Sequence, residues 1–286
     1  MADKQKEFND QVLRALDEGS AILKQAFRNG EIEGFKVDKS LPEGTPSWEP
    51  DRLYIHHHLG LGDHIVCNGM VRYFLDQSES KKVGVFAKDN YFPLVQHMYR
   101  DDPRIQVIKI NKNREFIEVA TFLNNYNCDN YKIVGHQYFV DVPESVKLKK
   151  NCWEIFYELM GIPLDVRHNM FHLERDTTQE EELLKKLNPN GEPFVFIHDD
   201  MSRGHVIDLE KIDLPDGIKI IKNNSSFNLF HYLKIIEEAE EVHCMESSFK
   251  CLIDAWAGRS EKLYFHDIRT VPLGKSTLPW KIIKYI

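Results

Sequence analysis

Nothing in this chain approaches the run of about 20 apolar residues that a membrane-spanning helix requires, so no transmembrane segment is expected. The first residues, Met-Ala-Asp-Lys-Gln-Lys-Glu, lack an apolar core, and no signal peptide is expected. Cysteine is scarce: five residues, an odd number with no Cys-x-x-Cys pair, which reads as reduced thiols in a cytoplasmic compartment. Basic charge is also in deficit. Lys and Arg total 37 against 45 Asp and Glu, a net charge of -8, which argues against nucleic acid as the partner. Internal repeats and low-complexity stretches are absent as well. What remains is an ordinary soluble composition, 42% hydrophobic and 29% charged, over 286 residues. That length holds two modest domains or one large one.

The most informative stretch is Leu53-Tyr54-Ile55-His56-His57-His58-Leu59-Gly60-Leu61-Gly62-Asp63-His64-Ile65-Val66. An apolar run leads into a two-glycine turn, and a helical apolar pattern follows at Ile65, Val66, Met70, Val71 and Phe74. Gly60 and Gly62 permit a sharp turn and leave room for a ligand. Asp63 stands at the helix start, where it either caps the helix or points into a cleft at the strand's carboxyl end. The third glycine of a dinucleotide fingerprint and the Lys-Ser/Thr of a P-loop are both missing. A sugar or nucleotide cleft fits better than a hydride- or phosphoryl-transfer loop.

Beyond an amphipathic N-terminal helical pattern (Lys4 to Gly30) and a proline-bearing loop to Pro50, the chain alternates. Strands are expected at Leu53–His57, Val83–Ala87, Ile105–Ile110 and Tyr131–Gly135, with helices at Ile65–Gln77, Tyr91–Tyr99, Phe116–Tyr126 and Cys152–Gly161. Gly161-Ile162-Pro163-Leu164-Asp165 reads as a hinge. A second series follows: helix Thr178–Leu187, strand Pro193–His198, strand Gly217–Ile221, helix Asn228–Glu238, strand Glu241–Met245, helix Phe249–Ala257 and strand Lys262–His266. Trp280–Ile286 reads as an amphipathic tail. Such alternation implies βαβ crossovers and parallel sheets. The expected architecture is α/β, with two Rossmann-like domains facing across a cleft behind an N-terminal helical extension. The expected divisions are 1–50, 51–163 and 164–286.

A second stretch carries chemistry. In Glu241-Val242-His243-Cys244-Met245-Glu246-Ser247-Ser248-Phe249-Lys250-Cys251, a strand ends at an acid and two hydroxyls that open a helix. Free amides and the helix dipole attract phosphate there. Ser247 and Ser248 add hydroxyl donors, and Glu246 can accept from ribose or sugar hydroxyls. Here the chain resembles the heptosyltransferase-like glycosyltransferases, which have the GT-B fold. Leu61-Gly62-Asp63 matches the family's Gly-Asp turn after the first strand. Residues Ile236 to Ala255 match its element with Asp-Ser/Thr-Gly-x-x-His, although Glu246, Ser248 and Cys251 stand for Asp, Gly and His. Phe196-Ile197-His198-Asp199-Asp200-Met201-Ser202-Arg203-Gly204-His205 resembles the strand and loop after which the family places a basic residue against the donor phosphates. Ile207 stands where the family has tryptophan.

The resemblance implies an inverting, metal-independent transferase that is cytoplasmic and needs no cofactor. It would take a nucleotide-sugar donor on the second half and a glycan or glycoconjugate acceptor on the first. Asp63 matches the family's general base. Arg203, with His205 and the amides of Ser247 and Ser248, would stabilise the leaving diphosphate; the plain alternative pairs Arg203 with Asp199 or Asp200. Those adjacent acids point in different directions on a strand end, so a shared metal is not expected. The same alternation sends His56 and His58 to one face and His57 to the other, with no third ligand at metal spacing. His58, His64, His136 and Gly62 are expected to line the acceptor side. Tyr138 and Phe139 either stack on a sugar or pack, and Phe116, Phe122, Tyr126, Phe156 and Tyr157 read as core. Cys251 falls on an apolar helix face, with no activating neighbour. A sugar-nucleotide epimerase or hydrolase, or a non-catalytic nucleotide- or sugar-binding protein, remains open on the same scaffold.

Overall fold

In the computed structural model, residues 49, 51–57, 60–79, 81–125, 128, 130–135, 142–256, 260–269, 276 and 278–285 are described. The N-terminal helical pattern, His58, Tyr126, His136, Tyr138 and Phe139 lie outside them, as does the side chain of Phe116.

Two compact units emerge. The first takes the described residues up to Pro143 together with Ile155–His172, and the second takes Glu144–Glu154 with the residues from Leu173 on. The Gly161–Asp165 stretch read as a hinge thus lies inside the first unit.

The first unit runs β1 (Leu53–His57), α1 (Leu61–Val66), α2 (Asn68–Gln77), β2 (Val83–Lys88), α3 (Phe92–Met98), β3 (Ile105–Ile110), α4 (Glu115–Asn125) and β4 (Tyr131–Val134). α5 (Cys152–Leu159), whose residues up to Glu154 belong to the second unit, and α6 (Val166–Asn169) follow. All four strands pair in parallel, in the order β3-β2-β1-β4. β1 is buried along its whole length, as befits a parallel strand covered on both faces. Tyr54, Phe86, Ile108, Val119 and Phe122 form a core between sheet and α4. Gly69 lets α2 approach α6 closely, because a Cβ there would lie 2.4 Å from the Val166 carbonyl oxygen.

The second unit holds α7 (Thr177–Leu187), β5 (Phe194–Ile197), β6 (Lys219–Lys222), α8 (Leu233–Glu238), β7 (Glu241–Cys244), α9 (Ser248–Ala255), β8 (Leu263–Asp267) and β9 (Lys281–Lys284). Its five strands are parallel, in the order β6-β5-β7-β8-β9. The C-terminal tail is therefore a strand and not an amphipathic end. Lys281–Lys284 pairs with Tyr264–Asp267 and takes the sheet's edge, where half-exposed Ile282 is tolerated. A polar chain crosses this edge: His243 Nδ1 to His266 Nε2 at 3.0 Å, and His266 Nδ1 to the Tyr285 hydroxyl at 2.8 Å. Burial holds His266 down at about 3, with His243 adding to the depression, so this imidazole is neutral at ordinary pH.

Each sheet has a place where the strand order reverses. In the second it falls between β5 and β7, and in the first between β1 and β4. Crossovers leave there to opposite faces, opening a crevice beyond the carboxyl ends of those strands where open α/β sheets take their ligands.

Candidate functional site

In the first unit, the crevice end of β1 leads through Gly60 into α1. Asp63 is the third residue of that helix, not its cap. Its Oδ2 reaches back and accepts from the Gly60 backbone N–H at 2.8 Å. This satisfies one of the amides left over at a helix start and fixes the carboxylate beside the turn. The fit at this turn is close, since a Cβ at Gly60 would lie 3.0 Å from Asp63 Oδ2. Asp63 is half-buried, and so is Gly62 beside it.

The neighbouring histidines divide between the faces of β1. His56 Nε2 meets Glu115 Oε1 on α4 at 2.9 Å, while the His57 ring packs edge-on against His64 at 4.2 Å. His64 is buried, contrary to the expectation that it would touch substrate. It sits one position past Asp63, which turns it toward the sheet, and burial with His57, His56 and Lys88 nearby pushes its pKa well down. Sequence reasoning also missed a buried acid here. Glu115 Oε2 holds Lys88 Nζ at 2.9 Å while Oε1 holds His56. Burial opposes the Glu115 charge, yet the His56 and Lys88 contacts together leave its pKa below the usual value.

In the second unit, β5 leads into His198, Asp199 and Asp200. Asp199 Oδ2 pairs with Lys222 Nζ at 2.7 Å, and its Oδ1 accepts from the Ile207 N–H at 2.9 Å. Asp200 instead pairs with Arg203 Nη1 at 2.7 Å, and its backbone bridges to His205. The two acids serve opposite partners. Among the described residues, no group of three or more His, Cys, Asp or Glu side chains could hold a metal ion. Arg203 remains 55% exposed, while its partner Asp200 is buried.

β7 ends beside β5 and delivers Glu246 and Ser247 to the head of α9. Ser247 is the N-cap: its Oγ accepts from the Lys250 N–H at 3.3 Å and donates to the Met245 carbonyl at 3.0 Å. That hydroxyl is committed to the turn, so Ser247 offers an anion its backbone amide rather than the extra hydroxyl donor expected of it. Ser248, the first helical residue, is half-buried. From the end of β8, Arg269 Nη1 donates to the Glu246 carbonyl at 2.6 Å, which brings a second guanidinium to the head of α9.

Below this turn lies a buried ion cluster that sequence reasoning overlooked. Lys250 Nζ, fully buried, sits 2.8 Å from Asp254 Oδ2 and 3.7 Å from Glu246 Oε2. Burial works against its charge, but Glu246 and Asp254 outweigh burial and raise its pKa. Asp254 Oδ1 also accepts from Trp280 Nε1 at 2.9 Å and from Ser276 Oγ at 3.0 Å. Spacing of four residues on either side of Lys250 was the available signal. Cys251 is buried on the same helix, in keeping with a packing thiol.

Two successive parallel α/β sheets, each with a reversal of strand order, are consistent with a GT-B-like fold. The chain is similar in structure to the glycosyl transferase family 9 protein from Veillonella parvula DSM 2008, with a TM-score of 0.51 at 10% identity, covering 85% of this chain and 89% of that one. It is also similar to ADP-heptose LPS heptosyltransferase II of E. coli, with a TM-score of 0.55 at 8% identity, covering 82% and 91%. No family model matches the chain, and no curated protein matches it in sequence. What is shared at these identities is the fold. Among the described residues, no helix is long and apolar enough to cross a membrane.

Proposed function

We propose that this chain is an inverting, metal-independent glycosyltransferase that moves a sugar from a nucleoside-diphosphate donor to an acceptor hydroxyl. The observation that carries this reading is Asp63, a carboxylate fixed by a backbone amide at the crevice end of β1, in a chain with the fold of known glycosyltransferases. The second unit takes the donor, and the first supplies the acceptor site and the base. Asp63 removes the acceptor's hydroxyl proton as that oxygen attacks the anomeric carbon. The bond from that carbon to the diphosphate breaks, and the nucleoside diphosphate leaves with the electron pair. A single displacement inverts the anomeric centre. Developing phosphate charge falls to Arg203, His205 and the amides of Ser247 and Ser248, with Glu246 accepting from donor hydroxyls.

The test is release of nucleoside diphosphate from a panel of nucleotide sugars, with and without glycan acceptors. A transferase releases little until an acceptor is added. Release without acceptor points to a hydrolase, and tight binding with no turnover points to a binding protein.

Two further outcomes are expected. Arg203→Ala should weaken nucleoside diphosphate more than the parent nucleoside, by about 1.5–3 kcal/mol for a charge-assisted contact. Equal losses in calorimetry for the two ligands would take Arg203 out of the phosphate site. Turnover should also persist in excess chelator, because Asp199 is turned to Lys222 and Asp200 to Arg203. A loss that added Mg²⁺ or Mn²⁺ restores would replace this scheme with a metal-assisted one.

A further inference from the structure

Among the described residues, the crossover from β5 to β6 holds no α-helix, only two short 3-10 turns at Met201–Arg203 and Leu209–Lys211. It covers a sheet face that carries Val195, Ile197 and Met245 by pressing Ile207 among them, with Ile212 and Leu214 packed alongside. A loop with so little regular structure takes its shape from the side chains that tie it down. Two ties meet at its middle. Asp199 Oδ1 accepts from the Ile207 N–H at 2.9 Å, and the next amide, the Asp208 N–H, donates to the Tyr285 hydroxyl at 3.2 Å. Arg203 and His205 belong to the tight turn just before these ties. That turn is closed by the backbone bridge between Asp200 and His205, with Gly204 at a φ of +71°.

Tyr285 stands just past β9, and the hydrogen bonds behind it run in one direction. A carboxylate only accepts, so His243 Nε2, 3.4 Å from Glu241 Oε2, carries a proton. Burial lowers the His243 pKa against the pull of Glu241, so the ring is neutral at ordinary pH and its Nδ1 accepts. The proton in the 3.0 Å contact between the two rings then belongs to His266 Nε2, which leaves His266 Nδ1 an acceptor as well. The Tyr285 hydroxyl gives its proton there, at 2.8 Å, and turns a lone pair to the Asp208 amide. His266 is fully buried, so the sheet interior sets the orientation of this hydroxyl. Lys211, from the same loop, lies over the tyrosine ring with Nζ 4.8 Å from its centroid.

We propose that Tyr285 is a positioning residue for the donor: by holding the Asp208 amide it fixes the loop whose turn presents Arg203 and His205. This rests on the transferase reading, in which that turn meets the diphosphate. It brings β9 into donor binding without any contact of its own to the ligand. It also gives a task to a buried polar chain, Glu241 to His243 to His266 to Tyr285, whose burial would otherwise only cost stability.

The experiment is a double-mutant cycle on Tyr285→Phe and Arg203→Ala, read by calorimetry with ADP, UDP, GDP and CDP and their nucleosides as probes. Phenylalanine keeps the ring under Lys211 and removes only the hydroxyl. Tyr285→Phe should weaken the diphosphate that wild type binds by about threefold to tenfold, the range of one hydrogen bond, with little change for the nucleoside. On top of Arg203→Ala it should change diphosphate affinity by less than about twofold, because the side chain it positions is already gone. An equal loss in both backgrounds would mean that Tyr285 acts by another route, and would overturn the proposal. Unchanged diphosphate affinity with a lower melting temperature would assign Tyr285 to stability alone, and would overturn it while leaving the transferase reading intact. Arg203→Ala without effect on the diphosphate would remove the contact that Tyr285 positions, and the proposal with it. Failure of wild type to bind any of the four diphosphates would overturn the transferase reading as well.

Discussion

Asp63→Asn should cut turnover by about a hundredfold or more, the cost of losing a general base, while leaving the fold and donor affinity near wild type. The substitution is selective because of what the carboxylate does locally. Asp63 Oδ2 closes the turn by accepting from the Gly60 N–H at 2.8 Å, and an asparagine side-chain oxygen at the same place can accept the same bond. The start of α1 is therefore preserved, and only the proton-accepting capacity is removed. Asp63→Ala is the complementary variant, which loses both. Steady-state rates and thermal melts on the pair separate the roles. If Asp63→Asn turns over normally while Asp63→Ala merely melts earlier, Asp63 does nothing more than hold the turn.

The sequence announced this turn because its signals are local: a buried run of β-formers, two glycines, an acid and a helical period lie within 14 residues. The same holds for most of the strands. β1 and β3 occupy the expected residues, since continuous apolar runs bounded by turn residues leave little freedom in their ends. Signals that depend on distant partners were not legible. His56 meets Glu115 across 59 positions, and nothing near either residue announces the other. β9 escaped notice because Lys-Ile-Ile-Lys is too short to show a period, and only the vacant edge of β8 makes it a strand. The break between α1 and α2 at Cys67 likewise lies inside an unbroken apolar pattern.

Lys250 was passed over for a different reason. Lysine is seldom fully buried, so on a helix it reads as a solvated residue, although acids four positions before and after it marked an ion cluster. Its replacement should have the largest effect on stability. Lys250→Met fills the space with a side chain of similar length but strands the Asp254 carboxylate, whose Oδ2 lies 2.8 Å from the ammonium in a site closed to water. Leaving one charge of a buried pair without the other costs about 3–5 kcal/mol, a large share of a domain's stability. The second substitution locates that cost. Asp254→Asn on top of Lys250→Met removes the stranded charge while keeping a side-chain oxygen for the Trp280 and Ser276 donors, so the pair should recover most of the loss. Denaturant melts followed by tryptophan fluorescence suit the purpose, because three of the four tryptophans, Trp153, Trp256 and Trp280, belong to the second unit. Lys250 also lies over the Trp153 ring, with Nζ 5.8 Å from its centroid, so a reporter sits within the perturbed cluster. A single substitution costing less than about 1 kcal/mol, or a double variant no more stable than the single, would mean that the Lys250–Asp254 pair contributes little to the stability of the second unit.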